Sequence, residues 1–91
     1  MSNISVEARE KLHLSQQELG RLLGLHEMTI SRWERGTITP DGRALSILEN
    51  ILKLPDDKVE ALSAGIHRDL RAQGLAAMCR LLAAIKPQLE K

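Results

Sequence analysis

The chain has 91 residues, of which 43% are apolar, with Trp33 as the one aromatic side chain and Cys79 as the one cysteine. That length excludes a second hydrophobic core, and a single cysteine excludes an internal disulfide. The net charge of +1 neither argues for a polyanionic partner nor vetoes one, because a summed charge does not show its distribution over the surface.

Leu and Ala dominate the apolar set, which favours helix, and strand formers never alternate over a useful length. The expectation is an all-α fold of five to six helices. The first is predicted from about Asn3 to Leu12, with Ile4, Ala8 and Leu12 on one stripe. Ser15 and Glu18 form a capping box that opens the second helix, and Leu19, Leu22 and Leu23 are its buried face. Gly24 ends it, since glycine enters the left-handed region at little cost.

Leu25 and His26 complete a tight turn into a third helix, predicted from about Glu27 to Arg35 and stopped by Gly36, with Ile30 and Trp33 inward. After a loop from Thr37 to Pro40, Asp41 caps a fourth helix to about Leu52, with Leu45, Leu48 and Leu52 inside. Pro55, Asp56 and Asp57 start a fifth helix, with Val59 and Leu62 apolar and Gly65 as its expected end. The last helix is expected over about Ile66 to Ile85, weakened in its middle by Gly74 and closed by Pro87, with Cys79 as a buried thiol. Residues 1–54 read as one helix-turn-helix unit and 55–91 as C-terminal helices packed with it into one domain.

Two short helices around one glycine are the helix-turn-helix arrangement. With Ile30 and Trp33 turned inward, the second of them presents Glu27, Met28, Ser31, Arg32 and Arg35 on its other side. A DNA major groove is wide enough to admit one such helix.

The run "LSQQELGRLLGL" and the run "TISRWERG" with Pro40 after it resemble the Xre/Cro/C1 family of helix-turn-helix regulators, over about Ala8 to Leu52. The resemblance implies a lambda-repressor-like fold that binds double-stranded DNA. It implies an ion pair between Arg9 and Glu34, where the alternative is two solvated charges. It also places Gln16, with Gln17 beside it, on phosphate at the start of the second helix. His26 departs from the family's Ser or Thr cap, and reads either as a phosphate donor or as an exposed turn residue. Gly20 stands where the family has alanine at the contact between the two helices.

The base-reading positions implied are Glu27, Met28 and Arg32, with Thr29 and Ser31 nearby. Arginine donates two hydrogen bonds to guanine, glutamate accepts from the cytosine amino group, and methionine covers a thymine methyl. Each has a plainer alternative: Glu27 as a favourable charge at a helix amino end, Met28 as core, Arg32 as a phosphate clamp. Arg35, Thr37, Thr39 and Arg43 follow the third helix and are expected to face the DNA backbone.

One recognition helix spans few base pairs, and proteins of this type pair two of them on an inverted repeat. The homodimer contact is expected within Leu75 to Leu89, on Leu75, Met78, Leu81, Leu82 and Ile85; the alternative is packing back on the same chain. The reading is a small dimeric repressor of the phage, mobile-element or autoregulatory kind, including the anti-CRISPR-associated kind. An antitoxin that represses its operon and binds a toxin is the alternative. His13, His26, His67 and Cys79 lack metal-site spacing, and no catalytic triad or phosphate loop is visible, so neither enzyme activity nor a cofactor is expected. With no signal peptide or membrane-length apolar run, a cytoplasmic protein of bacterial or phage origin is expected.

Overall fold

The computed structural model describes the backbone of residues 3–72 and 74–89, and the side chains of residues 3–72 and 76–85. It contains α1 (Ile4–Lys11), α2 (Gln16–Leu23), α3 (Glu27–Arg35), α4 (Gly42–Leu52), α5 (Asp56–Ala72) and α6 (Gly74–Leu89). The helix starts follow local capping chemistry. The Asn3 side chain accepts from the Ser5 N–H at 2.8 Å, and the Asp41 carboxylate accepts from the Ala44 N–H at 2.9 Å. At α2 the Ser15 hydroxyl accepts from the Glu18 N–H (3.1 Å) while the Glu18 carboxylate accepts from the Ser15 N–H (2.8 Å). Gly24 (φ 73°) and Gly36 (φ 77°) end α2 and α3 in the left-handed region.

One core runs through the molecule, and its fully buried side chains come from both halves of the chain. Leu12, Leu19, Leu22, Ile30, Leu48 and Ile51 meet Ile66, Leu70, Leu81 and Ile85. Polar ties reinforce this packing. Lys11 Nζ donates to the carbonyls of Leu52 (2.7 Å) and Leu54 (2.8 Å), so a cation closes the carboxyl end of α4. The buried Ser63 hydroxyl donates to the Leu12 carbonyl at 2.5 Å, and Arg21 donates to the Leu70 carbonyl at 2.5 Å. His67 of α5 lies 3.3 Å from the Glu18 carboxylate of α2.

Five expectations are corrected by the structure. Gly65 does not end a helix: α5 runs through it to Ala72. A glycine stops a helix where the chain turns left-handed, and among the described glycines only Gly24 and Gly36 do so. The use of Gly65 is steric, since a Cβ there would lie 2.8–2.9 Å from the Arg80 side chain, which crosses α5 to reach Asp69 at 2.6 Å. Gly74 does not weaken the middle of the last helix but stands at the start of α6. That helix continues past Pro87, which forfeits a single backbone bond two residues from the helix end. Cys79 is exposed, not buried, because α6 turns Ala77, Leu81 and Ile85 inward. On α4 the buried positions are Leu48, Asn50 and Ile51, with Leu45 and Leu52 half-buried. No described helix is long and apolar enough to cross a membrane.

Gly20 explains the departure from alanine at the α2–α3 contact. A Cβ at this position would lie 2.7 Å from the Leu25 carbonyl oxygen and 3.3 Å from the Glu27 nitrogen. Both are backbone atoms, which cannot swing aside. Gly20→Ala therefore gains about 1 kcal/mol of helix propensity but is expected to destabilise the fold by about 1–3 kcal/mol net through overpacking. Urea denaturation of the two proteins measures the sign.

Glu18 makes stability pH-dependent. Its hydrogen bonds to Ser15, and secondarily the charge and hydrogen bond of His67, hold its carboxyl below the ordinary value near 4.5, against the raising effect of burial. A carboxyl depressed in the folded chain stabilises at pH above its unfolded value, and that contribution disappears as pH falls through the folded value. The stability gap between the parent and Glu18→Gln is thus expected to be full at pH 7 and to shrink once pH drops below about 4.5. Denaturation midpoints at a series of pH values read it out.

Candidate nucleic-acid interface

The exposed side of α3 is created by the anchoring of its other side. Ile30 (0% exposed) and Trp33 (5%) enter the core three residues apart. The same register leaves Glu27, Met28, Arg32 and Arg35 exposed, and Thr29 and Ser31 half-buried. Met28 is 49% exposed, which removes the core alternative for it. With Glu34 paired inward, the outward charges of α3 are the two arginines against Glu27.

Glu34 holds the end of α3 against α1. Arg9 Nε donates to Glu34 Oε2 at 2.7 Å and Arg9 Nη2 donates to Oε1 at 3.1 Å, a two-pronged geometry that fixes both partners. Arg9 Nη1 donates at 3.0 Å to the Leu14 carbonyl in the α1–α2 turn. Gln16 Nε2 donates to the same Glu34 Oε1 at 3.0 Å, which aims the Gln16 amide between α2 and α3. The pair is largely covered, with side-chain exposures of 21% for Arg9 and 9% for Glu34. The hydrogen bond that Arg9 donates to Glu34, helped by the carboxylate charge, raises the Arg9 pKa above its ordinary value despite the opposing effect of burial. The solvated-charge alternative for this pair therefore fails.

His26 is the N-cap of α3: its Nδ1 accepts from the Met28 N–H at 3.1 Å. A neutral ring that accepts at Nδ1 carries its proton on Nε2, so an outward N–H donor remains at the amino end of α3. Gln17, Arg35, Thr37, Thr39 and Arg43 are all exposed. The loop after α3 folds back on it, with the Thr37 N–H donating to the Arg32 carbonyl at 3.0 Å.

The expected dimer positions fall apart as a set. Leu81 and Ile85 are completely buried in the chain's own core, and Met78 and Leu82 are half-buried against it. The Leu75 side chain lies outside the described residues. Leu81 and Ile85 are thus corrected to intramolecular packing, because α5 leaves the inward face of α6 no room for a second chain. Sequence reasoning also missed two positioning residues. Asn3 caps α1 through Oδ1 and donates from Nδ2 to the Trp33 carbonyl at 2.9 Å; Asn before an apolar stripe is a cap signal, but its second bond has no local signature. Lys11 has none either, since its acceptors lie more than forty positions away.

A helix-turn-helix family model matches residues 7–59, and the chain belongs to this family, of the Xre/Cro/C1 type. The matched residues form a DNA-binding helix-turn-helix domain, and the fold is all-α and lambda-repressor-like. Among curated relatives, the Type II methyltransferase M.SsoII of Shigella sonnei is 42% identical over 53 residues, which cover 55% of this chain and 13% of that protein. Repressor protein C2 of Salmonella phage P22 is 37% identical over 49 residues, covering 54% of this chain and 23% of that protein. The chain thus spans less than a quarter of either relative. No solved structure matches.

Removing one member of the covered ion pair strands the other. Arg9→Met is expected to cost about 3 kcal/mol or more, and the double change Arg9→Met with Glu34→Leu to recover part of that loss. A double-mutant cycle by chemical denaturation measures both.

Proposed function

We propose that the chain represses transcription by occupying an inverted-repeat operator as a homodimer, with α3 in the major groove of each half-site. The observation that carries this reading is the outward face of α3, where Glu27, Met28 and Arg32 stand clear of the core while Ile30 and Trp33 anchor the helix. In this reading Arg32 donates to guanine O6 and N7, Glu27 accepts from a cytosine amino group, and Met28 covers a thymine methyl. Thr29 and Ser31 adjust the approach to the bases.

Gln16, Gln17, the Nε2 of His26, Arg35, Thr37, Thr39 and Arg43 hold the phosphates and set the register. Two chains are invoked because one helix reads few base pairs, and a two-fold pair spaced one helical turn apart doubles the site. The two-fold contact then uses the outward side of the C-terminal helices, since the inward side is consumed by the core. The repressor reading is supported by the similarity to a protein named Repressor protein C2. The similarity to the methyltransferase is limited to a helix-turn-helix-sized segment, so it supports DNA binding and not methyl transfer.

Selection of bound sequences from a random duplex library at fixed salt, followed by stoichiometry on the winner, tests the reading. An enriched inverted repeat with two chains bound is expected. Absence of enrichment, with weak salt-sensitive binding alone, rejects direct operator recognition. On the selected duplex, Arg32→Ala is expected to lose about 1–3 kcal/mol of preference at one base pair per half-site. A uniform loss over all sequences reassigns Arg32 to phosphate.

A further inference from the structure

Beside the recognition surface, an aliphatic groove of about 290 Å³ lies where the end of α2, the start of α4 and the middle of α6 converge. Leu23 and Leu25 form one wall, Ile47 another, and Met78 and Leu82 a third, with Arg43 at the mouth. The terminal methyl of Met78 sits close to the α2–α3 turn, 3.6 Å from where a Gly24 Cβ would be. The groove is thus built between the C-terminal helix and the helix-turn-helix unit.

Three features define what fits it. Its volume is at the lower end of small-molecule sites. A protein partner would engage roughly 20–30 residues on a side, whereas nine line this groove. Its walls are Leu, Ile, Ala and Met without an aromatic ring, which suits a flexible aliphatic chain and offers no stacking surface.

The mouth carries Asp41 and Arg43. Asp41 is committed: its Oδ1 caps α4 by accepting from the Ala44 N–H at 2.9 Å, and its charge is offset by the positive helix end. The Arg43 guanidinium has no ion pair among the described residues. The unmatched charge is therefore positive.

We infer that this groove binds a medium-chain aliphatic carboxylate, with the chain between α2, α4 and α6 and the carboxylate on Arg43. The site also regulates DNA binding. Arg43 is one of the proposed phosphate contacts, so a carboxylate seated on it withdraws that contact, and ligand and operator oppose each other reciprocally. This regulatory half rests on the DNA-contact reading above; the binding half does not.

Decanoate, held below its micelle-forming concentration, is the probe, and methyl NMR of the DNA-free chain is the first measurement. Saturable shifts centred on Leu23, Ile47, Met78 and Leu82 are expected. Arg43→Gln is expected to weaken decanoate by about tenfold, to the level of decanol. Ala44→Leu, which narrows the groove, is expected to weaken both ligands. Absent or scattered shifts overturn the site, and equal affinity of the parent chain for decanoate and decanol overturns the role of Arg43. Shifts at these methyls that follow protein concentration without ligand show a second copy in the groove and also overturn it. On the selected duplex, saturating decanoate is expected to weaken binding by about tenfold. Unchanged duplex affinity alongside confirmed decanoate binding overturns regulation alone. Failure of the chain to bind any duplex sinks the DNA-contact reading and leaves the ligand site standing on the methyl shifts.

Discussion

The Arg9–Glu34 pair is the constraint on which the outward face of α3 depends. It joins the first helix to the last turn of α3, and it does so with two parallel hydrogen bonds, 2.7 and 3.1 Å long. A monodentate contact would allow α3 to pivot about a point; a forked one does not. Because Gln16 donates to the same carboxylate, the start of α2 is locked to the end of α3 by one acceptor. The pair is also costly to break, since Glu34 is 9% exposed and a carboxylate so placed cannot recover full hydration. Asn3 adds a second tie at this end through the Trp33 carbonyl.

The amino end of α3 is held by different means. There the backbone itself makes the contact, with Gly20 admitting the Leu25 carbonyl to a distance that a methyl group would forbid. His26 then caps the first turn. One end of α3 is thus set by charge and the other by steric closeness, with Ile30 and Trp33 supplying the apolar anchor between them. A helix held at both ends presents its outward side chains without first having to be ordered, which lowers the cost of binding.

The C-terminal helices complete this platform. Ile66, Leu70, Leu81 and Ile85 close the core over α2 and α4, Arg21 and Ser63 connect the two parts by hydrogen bonds, and Glu18 does so by its contact with His67. The C-terminal helices and the helix-turn-helix unit thus share one packed core. The groove between α6 and the α2–α3 turn lies on this junction.

Much of this architecture was legible in the residues. The Ser15–Glu18 box, the Asp41 cap, and the glycines at 24 and 36 are local signals, because a cap or a left-handed turn is decided by atoms a few bonds apart. These set four helix boundaries close to their observed places and, with the Leu, Ile and Trp spacing, set the outward face of α3. The motif resemblance alone pairs Arg9 with Glu34. What the sequence could not supply were the decisions taken between distant segments. Gly65 looked like a stop, but in the folded chain it is a notch for Arg80. Leu81 and Ile85 looked like a free apolar face, but α5 and α6 form a hairpin that turns them inward and turns Cys79 out. Lys11 carried no sign that it would close α4. Periodicity reveals that a helix has an apolar side; which surface covers that side depends on how the helices pack, and only the tertiary structure decides it.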